Sequence, residues 1–259
     1  MLKIKILTLF PEYFSSFLSN SIIARAISKK VVSFELINIR DFTTDKNHRV
    51  DDCPIGGGAG LIMKMQPLVD ALNSTKTDSS YVLLTSPLGK TFNQEKAIDL
   101  SKKEEIIIVC GHYEGTDYRF NKYVDELVSI GDFITTGGEV AAISISDAVT
   151  RLLDGAITHE SIVEESFNDN RLEYPQYTFP YNFNGDKVPD ILFTGNHEAI
   201  SNYRQRESLR LTKELRPDLF NKLTLTKKDL KRLKELETNS ISKIEQQALI
   251  KGERFIKKD

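Results

Sequence analysis

Residues 125–151 read DELVSIGDFITTGGEVAAISISDAVTR, and this stretch decides the fold that we expect. A strand-like apolar run from Leu127 to Ile130 meets a Gly-Asp turn, and a helix rich in small residues follows the pair Gly137-Gly138. Glycines between a strand and a helix let a ligand approach the backbone closely, because no Cβ stands in the way. The stretch therefore predicts a ligand-binding turn at the end of a strand.

Two further glycine loops support this interpretation. One is Gly56–Gly60, and the other is Cys110–Gly115, which follows the apolar run Ile106–Val109. Three such loops in a chain of alternating strands and helices indicate a nucleotide-like ligand at the strand ends. None of them contains the Lys and hydroxyl pair of a phosphate-binding P-loop, and the dinucleotide pattern GxGxxG is also missing.

Strand-like and helix-like segments alternate over the first 155 residues, which predicts an α/β fold with a mainly parallel sheet and helices on both faces. The predicted strands are Lys3–Leu9, Val31–Ile39, Tyr81–Thr85, Glu105–Val109 and a strand near Val128. The predicted helices are Glu12–Lys30, Leu61–Leu72, Asn93–Lys103, Val140–Leu153, Ser201–Leu215, Lys227–Glu237 and Ser240–Phe255.

Charge and patterning divide the chain into three parts. We predict an α/β domain over 1–157, a polar, acidic linker over 158–173 and a small helical domain over 174–259. Residues 204–259 carry a balance of +7, while the chain as a whole is at −2. A basic face of this kind suits a polyanion, but charge runs are also common on solvated helices, and charge alone leaves both interpretations open.

Composition limits the class of protein. The 259 residues are 40% hydrophobic and 28% charged, as in globular domains, and no apolar run approaches the ~20 residues of a membrane span. Cys53 and Cys110 have no metal-ligand spacing with the histidines, so we expect packing residues, no structural disulfide and a cytoplasmic location.

Six motifs, in order, resemble those of the bacterial tRNA (guanine-N1)-methyltransferases. They are GGGAGLIMK from Gly56, SPLGKTFNQ from Ser86, CGHYEGTDYR from Cys110, SIGDFITTGGE from Ser129, DAVTRLLDG from Asp147, and TGNHEAI from Thr194 with RQRESLRLT from Arg204. The resemblance implies a trefoil-knotted domain over 1–157 that binds S-adenosylmethionine, a helical domain over 174–259 that binds tRNA, and a homodimer with active sites at the subunit interface. It also implies methyl transfer from S-adenosylmethionine to N1 of the tRNA guanine at position 37, directly 3′ of the anticodon.

The chemistry of that reaction defines the residues it needs. N1 of guanine carries a proton at neutral pH, so a carboxylate must remove it, and negative charge then develops toward O6, where an Arg or backbone N–H can stabilise it. By resemblance, the catalytic residues are Glu165, Arg151 and Glu114, although Glu114 could also cap the next helix. Glu165 directly precedes Ser166-Phe167, and the family has Asp at this position. Glu164 is a less suitable candidate, because Ser166-Phe167 fixes the alignment with the family motif.

The resemblance also assigns residues that bind S-adenosylmethionine. They are Thr85, Ser86, Pro87, Gly111, Tyr113, Gly115, Ile130, Gly131, Asp132, Phe133, Ile134, Thr135, Gly137 and Gly138. A magnesium requirement follows from the family, but the sequence shows no dedicated ligand cluster. Departures from the family pattern include His112 for an Arg, and Cys53 and Phe179 for arginines that could contact phosphates.

Two alternatives remain at this point. A related knotted methyltransferase could act on another RNA base or on the ribose 2′-OH, and the carboxylate at Glu165 argues against the latter. A non-catalytic RNA-binding module would keep only a vestigial pocket. The glycine turns, Arg151 and Glu165 together argue against such decay.

Overall fold

The computed structural model describes residues 1–158 and 165–253, and the chain forms two units, Met1–Ile162 and Val163–Asp259. The first unit contains the alternating strands and helices, and the second is mostly helical. Residues 165–173, which the sequence assigns to a linker, belong to the second unit. The remainder of the predicted linker lies largely outside the described residues.

A five-stranded, fully parallel sheet forms the centre of the first unit, in the order β2-β1-β6-β5-β7. Its strands are β1 (Leu2–Thr8), β2 (Val32–Asn38), β5 (Ser80–Thr91), β6 (Glu105–Cys110) and β7 (Glu126–Ser129). The short strands β3 (Asp51–Asp52) and β4 (Ile62–Met63) pair with each other in antiparallel fashion. The predicted α/β class with a parallel sheet is confirmed.

The helices of the first unit are α1 (Ser15–Ser19), α2 (Ser21–Ser28), α3 (Met65–Thr75), α4 (Gln94–Ser101) and α5 (Glu139–Thr150). The single helix predicted over residues 12–30 is wrong, because Asn20 is extended and separates α1 from α2. The helix predicted from Leu61 begins only at Met65, since β4 pairs with β3. Pro67 therefore lies in the first turn, where its missing N–H costs no hydrogen bond.

The core lies on both faces of the sheet, and β6 shows this most clearly, since every one of its residues is buried. Ile106 and Ile108 pack with α4 and α5 on one face, while Ile107 and Val109 pack with α3 on the other. Burial on both faces explains why the sequence of this strand is unbroken and apolar rather than alternating.

A bulge interrupts β5 beside β7. Thr85 and Lys90 both pair with Val128, so residues 86–89 loop out of the ladder before the strand resumes. The sequence predicts that this strand ends at Thr85, whereas it continues to Thr91. Gly89 lies against the backbone of Leu127 and Val128, where a Cβ would overlap backbone atoms. The bulge projects Ser86 and Pro87 toward the carboxyl end of the sheet.

The second unit begins with irregular chain and a hairpin of β8 (Asn182–Phe183) and β9 (Asp186–Lys187). Four helices follow, α6 (His197–Leu215), α7 (Pro217–Phe220), α8 (Lys227–Glu237) and α9 (Lys243–Gly252). The predicted bounds of α8 are confirmed, and a capping box of Thr226 and Asp229 fixes its start. Within the described ranges, no helix is both long and apolar enough to cross a membrane.

Candidate active site

A cavity of about 380 Å³ opens at the carboxyl ends of β5, β6 and β7. It is lined by Thr85, Ser86, Pro87, Gly111, His112, Tyr113, Glu114, Gly115, Thr116, Val128, Ser129, Ile130, Phe133, Ile134, Thr135, Thr136, Gly137, Gly138 and Ala141. The volume is that of a pocket for a small-molecule ligand or cofactor. Its position at the strand ends is the usual one for ligands of open parallel sheets.

Hydrogen bonds join the loop after β6 to the turn before α5. The N–H of Gly138 donates to the carbonyl of Gly111 at 2.7 Å, and the N–H of Gly111 donates to Thr85 Oγ1 at 3.1 Å. A Cβ on Gly138 would overlap Thr85 Oγ1 and come within 2.8 Å of the Gly111 nitrogen. Gly138 is therefore required for the close packing of these loops, not only for the approach of a ligand.

The sequence-predicted cofactor residues line this cavity, with two exceptions, Gly131 and Asp132. Gly131 instead packs against Phe133, whose ring would lie 2.6 Å from an added Cβ. Sequence reasoning missed several lining residues that lie within or beside the same motifs. These are Thr116, Val128, Ser129 and Ala141, whereas His112 and Thr136 lie within the predicted cofactor loops Gly111–Gly115 and Ile130–Gly138. The only sequence feature that could have identified them as lining residues is their position next to the glycine turns.

Glu114, predicted as catalytic, also lines the cavity. Its side chain lies against Gly60 of the first glycine loop, and its N–H donates to the carbonyl of Leu61 at 3.0 Å. The alternative role as a helix cap is wrong, because the next helical turn is capped by Asp117, which accepts from the N–H of Arg119. Glu114 therefore connects the glycine loop at Gly60 to the mouth of the cavity.

A buried carboxylate lies beneath the cavity. Glu139, in the first turn of α5, accepts a hydrogen bond from Thr8 Oγ1 at 2.8 Å, and its carboxylate lies 3.9 Å from His112 Nδ1. A negative charge at the N-terminus of a helix is favourable because it meets the positive end of the helix dipole. Glu139 thus ties the end of β1 to the turn that carries Gly137 and Gly138.

Neither cysteine has the properties of a nucleophile. Cys110 is fully buried, and burial together with the nearby Glu139 carboxylate raises the pKa of its thiol well above the usual range. Cys53 is an exposed free thiol outside the cavity lining. Neither thiol is therefore placed or activated to act as a covalent nucleophile at this cavity.

Arg151 lies at the far end of α5 from the cavity. Gly138 is the N-cap of this helix and Arg151 is its C-cap, so the two are separated by about 20 Å at 1.5 Å per residue. An Arg side chain cannot span that distance. Within one chain, the structure therefore does not bring the predicted catalytic Arg151 to the cavity.

Glu165, the predicted general base, lines a second cavity of about 700 Å³ in the second unit. Other lining residues include Asp169, Arg171, Tyr174, Ser208, Lys222 and Asp229. Asp169, Glu173 and Asp229 are further carboxylates at this cavity that sequence reasoning did not consider as the base, since only Glu164 was weighed against Glu165. Glu164 lies outside the described residues.

The segment that carries Glu165 is held on the second unit by a network of hydrogen bonds. Arg171 Nη2 contacts Asp229 Oδ2 at 3.0 Å, and the N–H of Leu172 donates to Thr212 Oγ1 at 2.9 Å. Ser208 Oγ donates to the carbonyl of Leu172 at 2.6 Å. Burial opposes ionisation of Asp229, but hydrogen bonds from Arg171 and Thr226 outweigh it and lower the pKa of Asp229 to about 2. The segment is thereby anchored to α6 and α8.

We expect Asp229→Asn to destabilise the second unit, because it leaves Arg171 without its buried counter-charge. Losing one partner of a buried ion pair costs about 3–5 kcal/mol. Lowering the pKa of Asp229 from 3.8 to about 2 stabilises the fold above pH 4 by roughly 2 kcal/mol, and this contribution is lost as the pH falls from 4 to 2. Urea unfolding of the wild type and of the variant between pH 7 and pH 2 tests this. The difference between their free energies of unfolding should shrink at low pH. A constant difference would contradict the assignment.

The described residues contain no group of three or more His, Cys, Asp or Glu side chains arranged to hold a metal ion. A magnesium site therefore has no support in the part of the chain that the structure covers.

These features define a class: an α/β protein with a glycine-lined ligand cavity at the ends of parallel strands, joined to a small helical unit rich in basic residues. Comparison with known proteins is more specific. Residues 2–222 match the sequence model of the family described as tRNA (Guanine-1)-methyltransferase TrmD. The chain therefore belongs to this family of tRNA methyltransferases.

Individual relatives agree with the family match. A tRNA (guanine-N(1)-)-methyltransferase of Clostridium perfringens strain SM101 is 52% identical over 235 residues, which is 90% of this chain and 99% of that protein. Relatives with the same name from Clostridium beijerinckii and from Clostridium botulinum strain Langeland are 53% and 49% identical, each over 90% of this chain and 98% of theirs. The chain is thus similar to these enzymes over nearly their whole length.

Proposed function

We propose that this protein transfers a methyl group from S-adenosylmethionine to N1 of the guanine at position 37 of tRNA, directly 3′ of the anticodon. The observation that carries the proposal is the glycine-lined cavity at the ends of β5, β6 and β7, in a chain that belongs to the tRNA (guanine-N1)-methyltransferase family.

The cavity suits the adenosine part of this methyl donor. Flat and apolar side chains such as Pro87, Ile130 and Phe133 can cover the faces of a purine, while the glycine turns offer bare backbone at its edge. S-Adenosylmethionine supplies an activated methyl group when bound. No protein nucleophile is needed, which agrees with the buried thiol of Cys110.

The protein must hold the guanine and accept its proton. We assign this to Glu165: its carboxylate takes the proton from N1, the N1 electron pair forms the new bond to the methyl carbon, and the bond from that carbon to sulfur breaks. Arg151 stabilises the negative charge that develops on O6. A carboxylate at this position favours a base nitrogen over a ribose 2′-OH as the acceptor.

The position of Arg151 supports an active site built by two chains. Since it lies about 20 Å along α5 from the cavity of its own chain, a second copy is needed to place an equivalent Arg beside a bound methyl donor. We therefore propose a homodimer in which each site takes the cavity from one chain and Arg151 from the other. The trefoil knot and the cytoplasmic location remain predictions.

The function is tested by incubating the protein with labelled S-adenosylmethionine and an unmodified tRNA transcript that carries guanine at position 37, followed by mapping of the methylated atom. We expect N1-methylguanine at that position alone. Ala141→Phe, which places a large ring at the cavity wall, should weaken methyl-donor binding at least tenfold. Methylation of a different base or of ribose would overturn the proposal.

A further inference from the structure

The glycine-lined cavity has a buried carboxylate directly behind its wall. This is the side chain of Glu139, which does not itself line the cavity. A Cβ on Gly137, a lining residue, would overlap Glu139 Oε2 and lie 2.5 Å from His112 Nδ1. The carboxylate therefore faces the back of the glycine turn, where little water can screen its charge from a ligand in the cavity.

No permanent positive charge in the described part of the chain neutralises this carboxylate. Thr8 Oγ1 donates a hydrogen bond to Glu139 Oε1 at 2.8 Å, which stabilises the negative charge without cancelling it. Within residues 1–158 and 165–253, His112 is the one basic side chain within ion-pair distance, at 3.9 Å, and its imidazole is positive only when protonated. With a neutral imidazole, the group behind the cavity wall is negative.

The lining of the cavity adds no positive charge either. Among the described residues it includes one carboxylate, that of Glu114, and no Lys or Arg. Glu114 is exposed, so water and salt weaken its field, whereas Glu139 is only 4% exposed. The buried carboxylate is therefore the stronger source of negative potential in the cavity.

Packing alone does not require a charge at this position. The amide oxygen of a glutamine could accept the same hydrogen bond from Thr8. A buried carboxylate is also costly to desolvate, and a neutral side chain of the same size would avoid that cost. The charge of Glu139 is instead suited to a ligand that carries a positive charge.

We infer that Glu139 makes the cavity favour the cationic methyl donor over its neutral product, S-adenosylhomocysteine. The inference rests on the proposed function for the identity of the donor. The sulfur of S-adenosylmethionine is a positively charged sulfonium. When its bond to the methyl carbon breaks, the bonding electron pair stays on sulfur and leaves a neutral thioether. Methyl transfer itself thus removes the attraction to Glu139, and the spent donor is held less tightly.

The test compares Glu139→Gln with Glu114→Gln, which neutralises the exposed carboxylate at the cavity. The affinities for S-adenosylmethionine and S-adenosylhomocysteine are measured by isothermal titration calorimetry without tRNA, at a pH of about 8.5. We expect Glu139→Gln to lower the ratio of the two affinities about tenfold, which corresponds to about 1.4 kcal/mol. Glu114→Gln should change this ratio by less than about threefold, since its charge is screened.

Two further variants separate charge from packing. Glu139→Asp keeps the charge, so the ratio should stay within about threefold of the wild type even where both affinities fall. The double variant Thr8→Val/Glu139→Met removes the charge together with the hydroxyl that would be left unpaired. It should fold and show the same loss even if Glu139→Gln does not fold. Sinefungin, which has a protonated amine in place of the sulfonium, should follow S-adenosylmethionine in every variant.

The outcomes distinguish this inference from the proposed function. Equal losses of affinity for the two compounds, in Glu139→Gln or in the double variant, would overturn the inference. So would a larger change of the ratio in Glu114→Gln. Either result would leave the proposed function standing, because the wild type would still bind the methyl donor. A wild type that binds neither compound would overturn the proposed function and the inference with it.

Discussion

Glu165→Gln should reduce the rate of single-turnover tRNA methylation by about 100- to 10,000-fold, the usual contribution of a general base. The amide keeps the size and hydrogen bonding of the carboxylate but cannot accept the N1 proton. Affinity for S-adenosylmethionine should hardly change, because Glu165 is assigned to the guanine and does not line the proposed donor cavity. Rapid-quench methylation of a tRNA transcript measures the effect directly.

The controls for this experiment are the neighbouring carboxylates. Asp169→Asn removes another carboxylate at the same cavity, and Glu164→Gln changes the residue before Glu165. Both variants should methylate within a few-fold of the wild type. If Asp169→Asn is inactive while Glu165→Gln is active, Asp169 is the base. The alignment of Glu165 with the family's Asp then does not identify the base in this chain.

Arg151→Ala should lower kcat by about 100- to 1,000-fold, as is typical when one donor to a developing negative charge is removed. The KM for tRNA should change much less, because the charge on O6 develops only in the transition state. Arg25→Ala, which removes an exposed Arg from α2, is the matched control and should be silent. A rise in KM with kcat unchanged would assign Arg151 to ground-state RNA binding instead.

The parallel sheet and its ligand cavity were predictable from the sequence because both depend on local patterns. The buried run of β6 and the glycine turns mark the strand ends directly. Departures arose where a tertiary contact overrides the local pattern. Examples are the pairing of β4 with β3, which delays the start of α3, and the bulge that lets β5 continue past Pro87.

The reasons for individual glycines were harder to predict. Gly138 looks from the sequence like a point of ligand approach, but its missing Cβ also makes room for Thr85 and Gly111. Gly131 packs against Phe133 rather than lining the cavity. Both facts depend on which side chains meet across loops distant in sequence, and spacing within a motif carries no information about that.

The buried charges of the second unit were not predictable either. A sequence count finds that residues 204–259 are basic, but it cannot show that Asp229 and Glu245 face inward to arginines while the lysines of α8 face outward. That partition follows from the packing of α8 and α9 against α6.

The central claim is that each active site combines the cavity of one chain with Arg151 of another, and mixed dimers test it most directly. Arg151→Ala and Ala141→Phe chains are co-expressed with different affinity tags, and the heterodimer is purified through both. The account predicts about half of the wild-type methylation rate, since one of the two sites in such a dimer contains neither substitution. A heterodimer no more active than the two homodimeric variants would contradict it.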